Sequence, residues 1–290
     1  MAILTVHTVA ELRRHIQCWH IAGEKIALVP TMGNLHAGHI RLVEHAHEQA
    51  ERVVVSVFVN PLQFSPDEDF KSYPRTLEAD KIQLMASGTD LLFAPPVEEM
   101  YPDGEQRVTR VEVPELSSIL DGEFRPGHFA GMATMVLKLF NMVQPDIALF
   151  GQKDYQQLAV IRRVVQDVCV PVNIIGIATV RENDGLAMSS RNQYLTPSER
   201  EAAPLLYRTL GEVVQAMKHG RRDFQRLEAE ALRKLRVAGM RPDYVAIRVA
   251  QTLSAPDADA RYFVVLAAAW LGKARLIDNI EVQVAARADA

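Results

Sequence analysis

Two hydrophobic periods take turns along this chain. Ile26-Ala27-Leu28-Val29 and Val53-Val54-Val55-Ser56-Val57-Phe58-Val59 are short, nearly unbroken apolar runs, the pattern of strands covered on both faces. Between them, positions 38–51 show helical spacing, so the segment reads as a βαβ unit. Thr8 is placed to cap a helix reaching about residue 22, with Leu12, Ile16 and Trp19 on one face. A predicted helix at 75–87 ends at Gly88 and leads into a strand at 90–94. A helix at 129–142 precedes a strand at 146–150, and a helix at 154–168 precedes one at 173–177. Such alternation predicts an α/β fold built on a doubly wound parallel, Rossmann-like sheet, whose ligands collect at the carboxyl ends of its strands.

The pattern changes beyond residue 196. Two long helical stretches, 197–218 and 223–238, are followed by apolar runs at 244–249 and 262–266, which predicts a second, smaller α+β domain. We place the boundary at 179/180, giving a nucleotide- and substrate-binding domain over 1–179 and a C-terminal lid over 180–290. Arg181-Glu182-Asn183-Asp184-Gly185 is the hinge-like connection. No internal repeat or low-complexity segment stands out.

Composition narrows the function classes. Of 290 residues, 48% are hydrophobic and 23% charged, an ordinary balance for a globular protein with a sizeable core. No apolar run approaches the roughly 20 residues needed to cross a bilayer, and the N-terminus lacks a signal-like segment, so a cytoplasmic location with no membrane partner is expected. A formal charge of -4 gives no global attraction to nucleic acid, and none is expected as a partner. Cys18 and Cys169 stand in no metal-like or redox-like pair and are expected to be buried apolar residues. His36, His39, His45 and His47 raise a structural zinc alternative. Residues 45 and 47 point about 200° apart on a helix, which keeps both from joining one tetrahedral site.

The strongest chemical signal is Pro30-Thr31-Met32-Gly33-Asn34-Leu35-His36-Ala37-Gly38-His39, between the first apolar run and the following helix. Glycines let the backbone approach a ligand, and a helix opening offers N–H groups to phosphate oxygens. His36 and His39 lie three apart on the first turn, so both imidazoles can face one phosphate. The bland alternative is two surface histidines beside a cap. Gly151-Gln152-Lys153-Asp154 repeats the strand-turn-helix setting, with a mobile cation at Lys153 and a capping carboxylate at Asp154. Met188-Ser189-Ser190-Arg191 adds hydroxyls and a guanidinium suited to a triphosphate. Together these segments suggest attack on the α-phosphate of ATP.

The chain resembles the pantoate-β-alanine ligases, the pantothenate synthetases of the nucleotidyltransferase superfamily, over nearly its whole length. The resemblance rests on residues 29–39, on Phe58-Val59-Asn60-Pro61-Leu62-Gln63-Phe64, on Tyr73-Pro74-Arg75-Thr76, on Gly151-Gln152-Lys153-Asp154-Tyr155-Gln156-Gln157 and on Asp184-Gly185-Leu186-Ala187-Met188-Ser189-Ser190-Arg191-Asn192. It implies that ATP is held by Met32, Gly33, Asn34, Leu35, His36, Ala37, Gly38 and His39, with Gly151, Gln152, Lys153, Asp154, Val180, Met188, Ser189, Ser190 and Arg191. It makes His39, His36, Lys153 and Arg191 the catalytic set. Gln63 and Gln157 fall where the family binds pantoate, and Gln63 is also assigned to β-alanine; an amide can read a hydroxyl and a carboxylate without adding a repelling charge. Magnesium is expected at an acidic residue after the Tyr-Pro-Arg-Thr motif, namely Asp80, with Glu78 close by. A homodimer is implied as well. Gln152 stands where the family commonly has glutamate, which leaves hydrogen bonding but no direct carboxylate-metal contact there. Arg125-Pro126-Gly127-His128-Phe129 resembles another family loop, without an assigned role.

The implied reaction has two steps, adenylation of pantoate by ATP and then attack of the β-alanine amine. The runners-up are an enzyme that only transfers a nucleotide, an aminoacyl-tRNA synthetase, or a nonenzymatic nucleotide-binding regulator. The acidic balance and the absence of an evident RNA-binding extension weigh against tRNA.

Overall fold

The apolar runs of the first half pair side by side in one sheet. The structure, a computed structural model, describes residues 3–65, 68, 70–257 and 259–285. Among these, β1 (Leu4–Val6), β2 (Ile26–Thr31), β3 (Arg52–Val57), β4 (Leu91–Phe93), β5 (Ile147–Gly151) and β6 (Asn173–Ile177) lie in the order β1-β4-β3-β2-β5-β6. Every pairing is parallel. The helices between them are α1 (Val9–Ile21), α2 (Ala37–His47), α3 (Leu77–Ala86), α4 (Val97–Met100), α5 (Asp121–Phe124), α6 (His128–Val143) and α7 (Tyr155–Asp167). Consecutive residues Ile26 to Val29 are all fully buried, as a strand covered on both faces requires. Thr8 and Glu11 form a reciprocal capping box that starts α1. No helix among the described residues is long and apolar enough to cross a membrane.

Strand order reverses between β2 and β5, which makes their carboxyl ends the crevice of a doubly wound sheet. Pro30 sharpens that crevice. β2 pairs with β3 as far as Thr31, whereas its ladder with β5 covers only Ala27 and Leu28. Proline has no N–H to give a ladder, so it fits where pairing on one side has already stopped.

Packing divides the chain into two units, Met1–Gln152 with Val160–Ala178, and Lys153–Ala159 with Thr179–Ala290. A single cut after residue 179 therefore misses one exchange: the start of α7 packs with the later unit. That unit contains α8 (Pro197–Ala202), α9 (Leu205–Lys218), α10 (Phe224–Val237) and an antiparallel sheet β7-β8-β9 of Arg241–Val249, Tyr262–Leu271 and Ala274–Gln283. Leu210, Val214, Leu227, Leu235 and Phe263 are central to its core. The helical stretch predicted at 197–218 is two helices, because Pro204 cannot continue the first. β1 and β9 are additions to the predicted strands. The expected burial of the cysteines is wrong: Cys18 and Cys169 are both free thiols exposed to solvent. Cys18 lies off the α1 stripe that buries Leu12 and Ile16, and Cys169 follows the end of α7.

One close approach fixes how α6 meets the turn at Pro61–Gln63. A Cβ added at Gly131 would lie 2.0 Å from the Leu62 carbonyl oxygen, so no side chain fits there. Gly131→Ala is expected to cost about 1–3 kcal/mol or more by overpacking. Gly211→Ala on α9, where an added Cβ meets nothing within 4 Å, should stabilise by roughly 0.5–1 kcal/mol. Thermal unfolding of the two variants checks the contrast; equal shifts would contradict it.

Candidate active site

In the first unit, the turn leaving β2 is held by its own backbone and by a carboxylate from α3. Gly33 and Asn34 have φ of +79° and +51°, two left-handed residues in succession. Gly33 N–H donates to the Thr31 hydroxyl at 3.1 Å, and that hydroxyl donates to the Ser56 carbonyl at 2.8 Å. Asp80, 1% exposed, accepts from Asn34 N–H at 3.0 Å and Leu35 N–H at 2.8 Å. The Thr76 hydroxyl lies 3.2 Å from both of its oxygens. Leu35 turns into the core.

The histidines come next. His36 is the N-cap of α2, and its Nδ1 accepts from Gly38 N–H at 3.1 Å. His39 Nδ1 accepts from His36 N–H at 3.3 Å, and the ring centroids are 4.1 Å apart. A ring nitrogen that accepts carries no proton, so each neutral imidazole holds its proton on Nε2. The two rings are thus held side by side at the start of the helix. This differs from the expected phosphate site on bare helix amides, because Gly38 N–H is already given to the cap.

Gln63, 4% exposed, is oriented by a buried chain of hydrogen bonds. Tyr101 donates to Asn60 Oδ1 at 2.8 Å, and Asn60 Nδ2 donates to Gln63 Oε1 at 2.9 Å and to the Gly131 carbonyl at 3.1 Å. Burial pushes the Tyr101 phenol up, which keeps it a donor. Gln63 Oε1 therefore has one of its two lone pairs engaged, and its Nε2 faces the Met32 sulfur at 3.8 Å. The Gln63 carbonyl accepts from His128 Nδ1 at 2.8 Å and Arg125 Nη2 at 3.3 Å, while Arg125 forks onto Glu68 at 2.6 and 2.7 Å. The 125–129 loop thus acquires a place as a clamp on the turn that carries Gln63.

In the second unit, Lys153 and Ser189 line one small cleft with Asn192, Tyr207 and Asp278. Lys153 Nζ is 3.9 Å from Asp154, whose side chain is 47% exposed. Gln157, half-buried, is on the first turn of α7, and Gly151 and Gln152 join β5 to that turn. The 180–188 segment is a tight hairpin closed by Glu182 N–H to Leu186 O at 2.8 Å and Met188 N–H to Val180 O at 2.9 Å. Ser189 caps the 190–194 turn by accepting from Arg191 N–H at 3.3 Å, so its own proton remains available for donation. Arg200 bonds Asp184 at 2.5 Å and holds its carboxyl below the usual carboxylate range; the tie persists until pH falls through that lowered value.

Tyr101, Asp278 and Asn279 support these groups and lie in no motif, whereas Asn60, Arg125, His128 and Arg181 lie in segments noted in the sequence without a role for these residues. The one available signal is polar residues set inside apolar strand or helix patterns. Asp80 was expected to hold magnesium, and in this structure most of its carboxylate is engaged by the turn. A carboxylate offers about four lone-pair directions; two amides and the single proton of a hydroxyl that faces both oxygens use three of them, which leaves about one for a cation. Among the described residues no three His, Cys, Asp or Glu side chains form a metal-sized group.

Asp80→Asn removes one acceptor from this buried set, at a cost of about 1.5–3 kcal/mol for a hydrogen bond to a charged group. Faster hydrogen exchange at Asn34 and Leu35, with lowered activity that added magnesium does not restore, is the expected result. Rescue by magnesium would instead make Asp80 a cation ligand.

Comparison with known proteins bears on the family of the whole chain. The family model for pantoate-beta-alanine ligase matches residues 4–281. The pantothenate synthetase of Pseudomonas putida (strain GB-1) is 57% identical over 276 residues, covering 95% of this chain and 96% of the relative. A crystal structure of pantothenate synthetase from Thermus thermophilus superposes with a TM-score of 0.87 at 49% identity, over 97% of this chain and 100% of that one. Pantoate-beta-alanine ligase from Francisella tularensis, solved with beta-gamma ATP and beta-alanine, gives 0.81 at 34% identity, over 96% of this chain and 97% of that one. A sheet crevice carrying a fixed histidine turn, matched end to end by such relatives, places the chain in the pantoate-beta-alanine ligase family.

Proposed function

We propose that the protein condenses pantoate with β-alanine at the expense of ATP, through a pantoyl adenylate. A free carboxylate is a poor acyl electrophile, so it needs a better leaving group than oxide. In the first step a pantoate carboxylate oxygen attacks the α-phosphorus and the bond to the β-phosphate oxygen breaks, releasing pyrophosphate. In the second, the unprotonated amine of β-alanine attacks the acyl carbon. The carbon–oxygen bond to AMP breaks, and the amine proton is lost. No enzyme nucleophile takes part.

The observation that carries this reading is the pair of imidazoles, ring centroids 4.1 Å apart, on a turn fixed at the switch point of the sheet. Donors held in place stabilise charge as it develops on the phosphate oxygens without reorganising during the step. Lys153 and Arg191 supply the cationic part, with Ser189 and Ser190 donating to phosphate oxygens. Gln63 supports pantoate recognition as a donor to its oxygens, and Gln157 is the second amide assigned to that substrate. No step is assigned to a cation; Asp80 is the residue that would present a carboxylate oxygen to magnesium beside its hydrogen bonds to the turn. A homodimer in the cytoplasm completes the reading, on family resemblance.

Pantoate alone should support exchange of pyrophosphate into ATP, with β-alanine unnecessary. Native mass spectrometry should then show a noncovalent adenylate that denaturation releases. Exchange that requires β-alanine, or a stable acyl-enzyme, would overturn this order. His39→Ala is expected to slow adenylate formation by the equivalent of about 2.7–4 kcal/mol with little change in thermal stability. Gln63→Glu should raise the KM for pantoate far more than that for ATP, since it sets a negative charge beside the substrate carboxylate; equal effects would reduce Gln63 to a structural residue.

A further inference from the structure

Both loops assigned to ATP in the second unit are tied to neighbouring residues of one strand. β9 pairs regularly with β8 through residues 278 and 279, so their side chains leave opposite faces of the sheet. Asp278, 4% exposed, forks onto Arg181 at 2.6 and 2.9 Å. The Arg181 guanidinium lies 3.6 Å from the centre of the Tyr207 ring and donates to the Gly185 carbonyl at 3.1 Å. The hairpin leading to Ser189 is therefore fastened to one face of β9. On the other face, Asn279 Nδ2 donates to the Lys153 carbonyl at 3.0 Å. Two residues on, Glu281 accepts from the Tyr155 hydroxyl at 2.6 Å.

Lys153 depends on such a tie. It sits in a single 3-10 turn, Gln152–Asp154, where short runs have poor internal hydrogen bonding. Its long side chain can reach a fixed point repeatedly only if its backbone is fixed first. An amide suits this role, because it donates to the carbonyl and adds no negative charge near a site for phosphates.

We propose that Asn279 is a positioning residue, which sets the Lys153 backbone so that the ammonium group meets the nucleotide phosphates. The Asp278–Arg181 pair anchors the same strand to the serine-arginine loop. The inference rests on the assignment of Lys153 to ATP, and the test separates the two.

Asn279→Leu keeps the branched shape, with a somewhat larger volume, and removes the donor. In ATP-pyrophosphate exchange with the full chain, kcat/KM for ATP should fall about tenfold to hundredfold, as expected when a reacting group is misplaced. The KM for pantoate should stay within about twofold. In a Lys153→Ala background, Asn279→Leu should remove nothing more, because the group it positions is gone. Losses that multiply in the double variant would overturn the inference. So would Asn279→Leu at the wild-type rate while Lys153→Ala is impaired. Lys153→Ala at the wild-type rate would overturn the assignment of Lys153 itself, and the positioning role with it. If Asn279→Leu does not fold, Asn279→Ala enters the same cycle with the same expected outcomes.

Discussion

The carboxylate of Asp80 is the constraint on which the histidine turn depends. Two left-handed residues in succession leave N–H groups pointing inward, where water does not reach them. A neutral acceptor would satisfy them weakly, whereas a buried carboxylate makes charge-assisted hydrogen bonds to Asn34 and Leu35 and is itself satisfied by them. The exchange works in both directions: the turn needs the charge, and the charge is tolerable in the core only because the turn surrounds it with donors. Gly33 belongs to the same arrangement, since a Cβ there would lie 3.0 Å from both Asp80 and Val57. From this follow the placement of His36 as a helix cap and the stacking of His39 beside it.

The same economy of buried polar groups recurs around each candidate ligand contact. Gln63 is not an isolated amide offered to a substrate; Asn60, itself held by Tyr101, donates to its side-chain oxygen, and His128 and Arg125 donate to its backbone carbonyl. Lys153 is fixed through its backbone carbonyl, while its ammonium has only a long ion pair with the neighbouring Asp154 at 3.9 Å. Ser189 spends its lone pair on a cap and keeps its proton. In each case the fold uses one hydrogen-bonding group of the residue to set its position. Functional side chains selected in this way are stiff, because moving them breaks an internal hydrogen bond as well as an external one.

Local order in the chain sufficed for much of the framework. The apolar runs at 26–29, 53–57 and 147–150 are long enough and pure enough to be buried strands, and the helical spacing between them makes the parallel connection the economical one. Thr8 and Glu11 announce the start of α1 as a capping box. The histidine turn, the Gln152–Asp154 turn and the serine-arginine loop are legible for the same reason: each is a compact run of unusual residues directly after a strand. β1, three residues long, and β9, interrupted by Arg275, Asp278, Asn279 and Glu281, lack a pure period and escaped that reading.

What the sequence by itself determined is therefore the alternation of elements, the class of the sheet and the residues whose neighbours in the chain form their chemical setting. Tertiary structure alone decided the roles that depend on contact across the chain. Asp80 meets residue 35 from 45 positions away, Tyr101 reaches Asn60 across 41, and Asn279 reaches Lys153 across 126. No local pattern carries such pairings. The physical reason is that a lone polar residue in an apolar stretch is compatible with many partners, and only packing selects the one that satisfies it.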